Sequence, residues 1–97
     1  MKNKTQKVVA FDVDGTLISG ISDDPREEII ALLKALKELG AYIIVWSGGG
    51  KGYAEMWVRR LELEDYVDEV IAKDNKLNPD IAFDDAGWKF SKNTIII

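Results

Sequence analysis

Two stretches of this chain, Val8–Phe11 and Ala41–Trp46, carry an apolar or aromatic side chain at every position, with nothing polar at alternate sites. A strand with one wet face alternates between apolar and polar. A run without alternation is covered on both faces, as a central strand of a parallel α/β sheet is. Between the two runs, Asp24-Pro25-Arg26-Glu27 predicts a helix start, with Asp24 as N-cap, Pro25 at the first helical position and Glu27 at the capping-box position. Ile29, Ile30, Leu33, Leu36 and Leu39 then recur at helical spacing until Gly40 ends the pattern.

The same alternation of strand and helix continues to the end of the sequence. Ser47-Gly48-Gly49-Gly50 breaks the second apolar run, and Tyr53, Trp57 and Leu61 follow on one helical stripe. Val67–Ala72, Ile81–Phe83 and Thr94–Ile97 read as three more short strands. The stretch from Ala72 to Asp80 is too short for a crossover helix, so the sheet should be more thinly covered there. There is no repeat, linker or low-complexity segment, and residues 1–97 are expected to form a single α/β domain. Trp46, Trp57 and Trp88 are expected in the core or at its edge, with Trp88 placed to flank any site formed beside Asp84 and Asp85.

Composition narrows the chemistry. Thirteen basic residues against seventeen acidic ones give a net charge of -4, the wrong sign for a dedicated nucleic-acid binder. With no cysteine there is neither a disulfide nor a thiolate metal site. With no histidine, acid–base work must fall to carboxylates or lysine. The basic segment Met1–Lys7 precedes an apolar run too brief for a signal peptide or a membrane span, so a cytoplasmic protein is expected, with no membrane partner.

In open parallel sheets, ligands sit beyond the carboxyl ends of the strands. Asp12 and Asp14 follow the first strand, Ser47 and its glycines the second, and Asp84-Asp85 the strand at Ile81–Phe83. Any one of these segments alone is an ordinary turn, since Asp-Gly is a common turn pair. Together they gather acids whose mutual repulsion is about 4 kcal/mol per pair at about 4 Å and an effective dielectric near 20. A cation must offset it. Hard oxygen donors without imidazole or thiolate favour Mg²⁺. The Ser47 hydroxyl and the amides of Gly48 and Gly49, at the start of a helix, form a donor site suited to a phosphoryl oxygen.

The segment Phe11-Asp12-Val13-Asp14-Gly15-Thr16-Leu17 resembles the first signature of the haloacid dehalogenase (HAD) superfamily. The strand ending at Ser47-Gly48, Lys76, and Ile81-Ala82-Phe83-Asp84-Asp85 resemble the later signatures in the same order. The resemblance implies a Rossmann-like three-layer sandwich with a mostly parallel sheet. Asp12 would be the nucleophile that becomes an aspartyl phosphate and Asp14 the general acid and base. Thr16, Ser47, Gly48 and Lys76 would serve the phosphate-binding turn and the phosphoryl oxygens, with Lys73 a rival to Lys76. Asp12, Asp84 and Asp85 would hold Mg²⁺ together with the main-chain carbonyl of Asp14.

An aspartate with an ordinary pKa near 3.9 is already anionic at neutral pH and needs no base. Asp14 must carry a proton for part of the cycle, which calls for nearby carboxylates or burial. Neither Leu17–Pro25 nor Ser47–Lys76 has room for a cap domain, so the site should be open. The expected activity is that of an Mg²⁺-dependent phosphohydrolase acting on a phosphorylated small molecule or macromolecule, with dimerisation left open. A receiver-like phosphoacceptor and a catalytically silent binding module with the same fold are the alternatives.

Overall fold

The computed structural model describes residues 6–74, 77–86 and 92–97. Five strands, β1 (Val8–Asp12), β2 (Tyr42–Ser47), β3 (Glu69–Ala72), β4 (Ile81–Asp84) and β5 (Asn93–Ile96), form one sheet with two helices, α1 (Glu27–Glu38) and α2 (Lys51–Arg60). Every pairing is parallel and the strand order is β3-β2-β1-β4-β5, the order of a Rossmann-like doubly wound sheet. The two uninterrupted apolar runs of the sequence are the neighbours β1 and β2 at its centre. All five residues of β1 are buried.

Period-two alternation divides the core between the two faces. Val9, Phe11, Ile43, Val45 and Phe83 point to one side and pack with Ile29, Ile30 and Leu33 of α1 and Ala54, Trp57 and Val58 of α2. Val8, Ala10, Ile44, Trp46 and Ala82 point to the other. Both described helices therefore lie on one face. Of the three layers expected, the third contains no helix among the described residues. Leu77, from the connection between β3 and β4, packs on that face. The few residues of that connection cannot form a crossover helix.

Helix α1 starts later than the sequence suggests. Its N-cap is Arg26, with no side-chain cap, and Asp24 and Pro25 belong to a flap. Pro25 bridges Ile18 in antiparallel fashion, the Ser19 amide donates to the Asp24 carbonyl at 2.8 Å, and the Asp24 carboxylate accepts from the Ser22 hydroxyl at 2.9 Å. Flap pairing thus outcompetes the local cap. At the other end, Gly40 at φ +99° closes the helix: its amide donates to Lys37 and that of Ala41 to Leu36, both at 3.0 Å. Leu39, the residue at which the helix stops, is 84% exposed and so drops out of the expected apolar stripe. Between β1 and α1 there is only the flap, and between β2 and β3 only α2 and a short loop, so neither connection holds a cap domain. No helix among the described residues is long and apolar enough to cross a membrane.

Candidate functional site

The strand order reverses direction between β1 and β4, and the crevice at such a switch point is where doubly wound sheets bind ligands. Asp12 and Asp84 are the last residues of those two strands. Below them Phe11 and Phe83 stack with centroids 4.8 Å apart, fixing the two strand ends side by side. Asp85 follows directly, and one carboxylate oxygen from each of Asp12, Asp84 and Asp85 lies within 4.8 Å of the others. Asp12 and Asp84 are buried and Asp85 is exposed, so the cluster sits at the mouth of the crevice.

Among the described residues, one cation faces the two buried acids. Lys73, immediately after β3, is anchored by its amide on the Ser47 carbonyl at 2.9 Å. Its ammonium pairs with Asp84 and stands 3.6 Å from Asp12 Oδ1. Asp84 also accepts the Ala86 amide at 2.9 Å. Among the described residues, three carboxylates meet one ammonium, and their oxygen donors form a set that fits a hard divalent cation such as Mg²⁺. The electrostatics agree. Asp12 is pushed up from 3.8 to about 7, chiefly by burial; Lys73 opposes this, Asp84 and Asp85 add to it, and the Val13 amide lowers it. Burial of the strand end thus favours the protonated form of Asp12 more than its ordinary pKa does, and outweighs the attraction of Lys73.

Other acids near the sheet are already engaged with backbone. Asp80 accepts the Val8 amide at 2.8 Å, which holds its carboxyl below the usual range, and Asp68 accepts the Ile43 amide at 2.7 Å. Both lie just before their strands, at the end of the sheet opposite the acid cluster. A hollow of about 350 Å³ also lies at that far end, walled largely by aliphatic side chains such as Val9, Leu36, Leu39 and Ile81. Its lining offers no carboxylate, so the acid cluster is the better candidate for chemistry.

The remaining sequence candidates divide. Ser47 ends β2 and its hydroxyl accepts the Gly49 amide at 2.9 Å, which leaves the hydroxyl proton free to donate. Gly48 is exposed beside it, while the Gly49 amide is already taken. Thr16 is fully buried. Its amide is tied to Val13 at 3.2 Å and its hydroxyl has no partner among the described residues, a placement that suits support of the turn better than contact with an incoming phosphate. Asp14 is exposed and stands apart from the acid cluster, with Oδ1 accepting the Tyr53 hydroxyl at 2.7 Å. Lys76 and Trp88 fall outside the described residues.

Of the contributors, Lys73 was named only as the rival of Lys76, and two others were not legible as such. Lys73 carried a signal, its position directly after a strand. Tyr53 read only as part of a helical stripe, and Arg26 only as a helix residue, yet its guanidinium donates to the Gly15 carbonyl at 2.8 Å and braces the acid turn. Gly15 itself, at φ +79°, admits Asp85: a Cβ there would lie 2.2 Å from its Oδ2 and 2.8 Å from its Cβ.

No protein-family model matches the chain, and no solved structure does. The chain is similar to an uncharacterized 36.0 kDa protein of Orgyia pseudotsugata multicapsid polyhedrosis virus, 34% identical over 70 residues. That match covers 68% of this chain and 22% of the viral protein.

Proposed function

We propose that this protein is an Mg²⁺-dependent phosphohydrolase of the HAD type that cleaves phosphomonoesters through an aspartyl phosphate on Asp12. The observation that carries the reading is the meeting of Asp12, Asp84 and Asp85 at a sheet switch point, where Lys73 is the one cation paired with them among the described residues. Asp12, Asp84 and Asp85 would hold Mg²⁺, with the Asp14 carbonyl as the expected main-chain ligand. When bound, the ion supplies the positive charge that keeps Asp12 anionic and lets phosphate approach.

The chain's own groups then have distinct tasks. An Asp12 oxygen attacks phosphorus as the P–O ester bond breaks, and Asp14 gives its proton to the leaving oxygen. Asp14 next takes a proton from water. That water attacks phosphorus, the bond to Asp12 breaks, and inorganic phosphate departs. Lys73 and the Ser47 hydroxyl would bind the phosphoryl oxygens through both halves of the cycle. The strand order β3-β2-β1-β4-β5 differs from the 2-1-3-4-5 order of receiver domains, which favours an enzyme over a phosphoacceptor. The substrate would be a phosphorylated small molecule or macromolecule in the cytoplasm, reached through a site without a cap.

The test is release of phosphate from p-nitrophenyl phosphate with Mg²⁺. Turnover is expected in the wild type, lost on Asp12→Asn and on removal of Mg²⁺ with EDTA. Lys73→Ala should abolish it and Lys76→Ala should spare it. Undiminished turnover in Asp12→Asn refutes the mechanism, and a wild type that binds Mg²⁺ without turnover points to a silent binding module.

A further inference from the structure

Asp14 is the one acid of the turn that the cluster does not hold. It is exposed, on a loop, with no cap domain to immobilise it. A proton donor free to rotate in water spends little time in the geometry that transfer demands. Among the described residues, one side-chain hydrogen bond restrains it. Tyr53, in the first turn of α2, reaches over to the loop after β1 and its hydroxyl donates to Asp14 Oδ1 at 2.7 Å.

The glycine turn fits this reach. A Cβ on Gly49 would lie 3.2 Å from the Tyr53 ring and 3.3 Å from Ser47 Oγ, so glycine there lets the ring lie against the turn that carries Ser47. Tyr53 is partly buried, packed against the core at its base, and its ring is therefore steadied independently of Asp14. One side chain thus connects the turn after β2 to the acid turn after β1.

We propose that Tyr53 is a positioning residue that holds the Asp14 carboxyl for proton delivery to the leaving oxygen, in place of a cap. This rests on the phosphohydrolase reading. The role makes a particular demand on leaving groups. A nitrophenolate departs without protonation, whereas an alkoxide does not, so loss of the Tyr53 hydroxyl should damage alkyl phosphates selectively.

The experiment compares kcat/KM of wild type, Tyr53→Phe, Asp14→Asn and the double variant on p-nitrophenyl phosphate and on an alkyl phosphate, with Asp12→Asn as blank. Tyr53→Phe removes one hydroxyl from a partly exposed ring, and an unchanged melting curve confirms that its fold is intact. The expected result is about a tenfold loss on the alkyl ester, less than about twofold on the aryl ester, and no further loss when Tyr53→Phe is added to Asp14→Asn. Equal losses on both esters, an unchanged or raised rate, or the same loss without Asp14 would overturn the positioning role and leave the phosphohydrolase reading standing. Absence of any Asp12-dependent turnover would remove both.

Discussion

Asp12 should destabilise the metal-free fold at neutral pH, and Asp12→Asn should relieve that. Its side chain is 10% exposed at the end of a fully buried strand, and its pKa stands at about 7 against an ordinary 3.8. Because the folded value is the higher one, the unfolded chain ionises first, and stability is lost as pH rises from about 4 to about 7. At ~1.4 kcal/mol per pKa unit, the penalty reaches at most about 4 kcal/mol above pH 7. Asparagine keeps the shape and cannot ionise. It also faces the Lys73 ammonium, but that contributes a constant offset, whereas the pH-dependent part belongs to Asp12. Urea unfolding in EDTA at pH 4 and at pH 8 measures both. The stability of Asp12→Asn relative to wild type should rise by about 2–4 kcal/mol between those two conditions. A difference that stays flat, or moves against the variant, would refute the argument that burial outweighs Lys73.

Two further substitutions test the backbone that builds the site and its supports. Gly15→Ala should cost about 1–2 kcal/mol because φ is +79°, and the new methyl would force Asp85 out of the acid cluster; calorimetry should then show weaker Mg²⁺ binding than in wild type. Glu62, at φ +56°, closes α2 with the amide of Leu63 donating to Val58 at 2.9 Å, a place that glycine suits better. Glu62→Gly should therefore raise stability by about 1 kcal/mol and the melting temperature by about 4–8 °C, with turnover unchanged.

The sheet was readable because its physics is local. An apolar run without alternation can satisfy both faces only in the interior, so Val8–Phe11 and Ala41–Trp46 announced β1 and β2 directly. The start of α1 was misread because Asp24 and Pro25 had two uses open to them. The competing one, pairing with Ser19 and Ile18, depends on a flap that no local pattern records. Likewise, the thin cover over the face of Ile44 and Trp46, where no helix lies among the described residues, was expected from counting residues between β3 and β4, while the identity of a residue that packs there, Leu77, was not.

At the site, strand ends proved more informative than residue spacing. Asp12, Ser47 and Asp84 each terminate a buried strand, and that position alone brings them to one rim of the sheet. The same rule selects Lys73, which follows β3 directly and reaches Asp12 and Asp84. Spacing to the acidic pair had pointed to Lys76. What no sequence rule supplies is the reach of a side chain between loops, and Tyr53 to Asp14 is such a case. The burial that makes β1 so legible is also what holds Asp12 near pKa 7. The strand that defines the fold thus delivers its last carboxylate to a place where burial favours its protonated form, and where a positive partner would favour the charged one. Fold and chemistry are linked at this residue: a chain that exposed the end of β1 would be more stable without metal and would have less need of a cation.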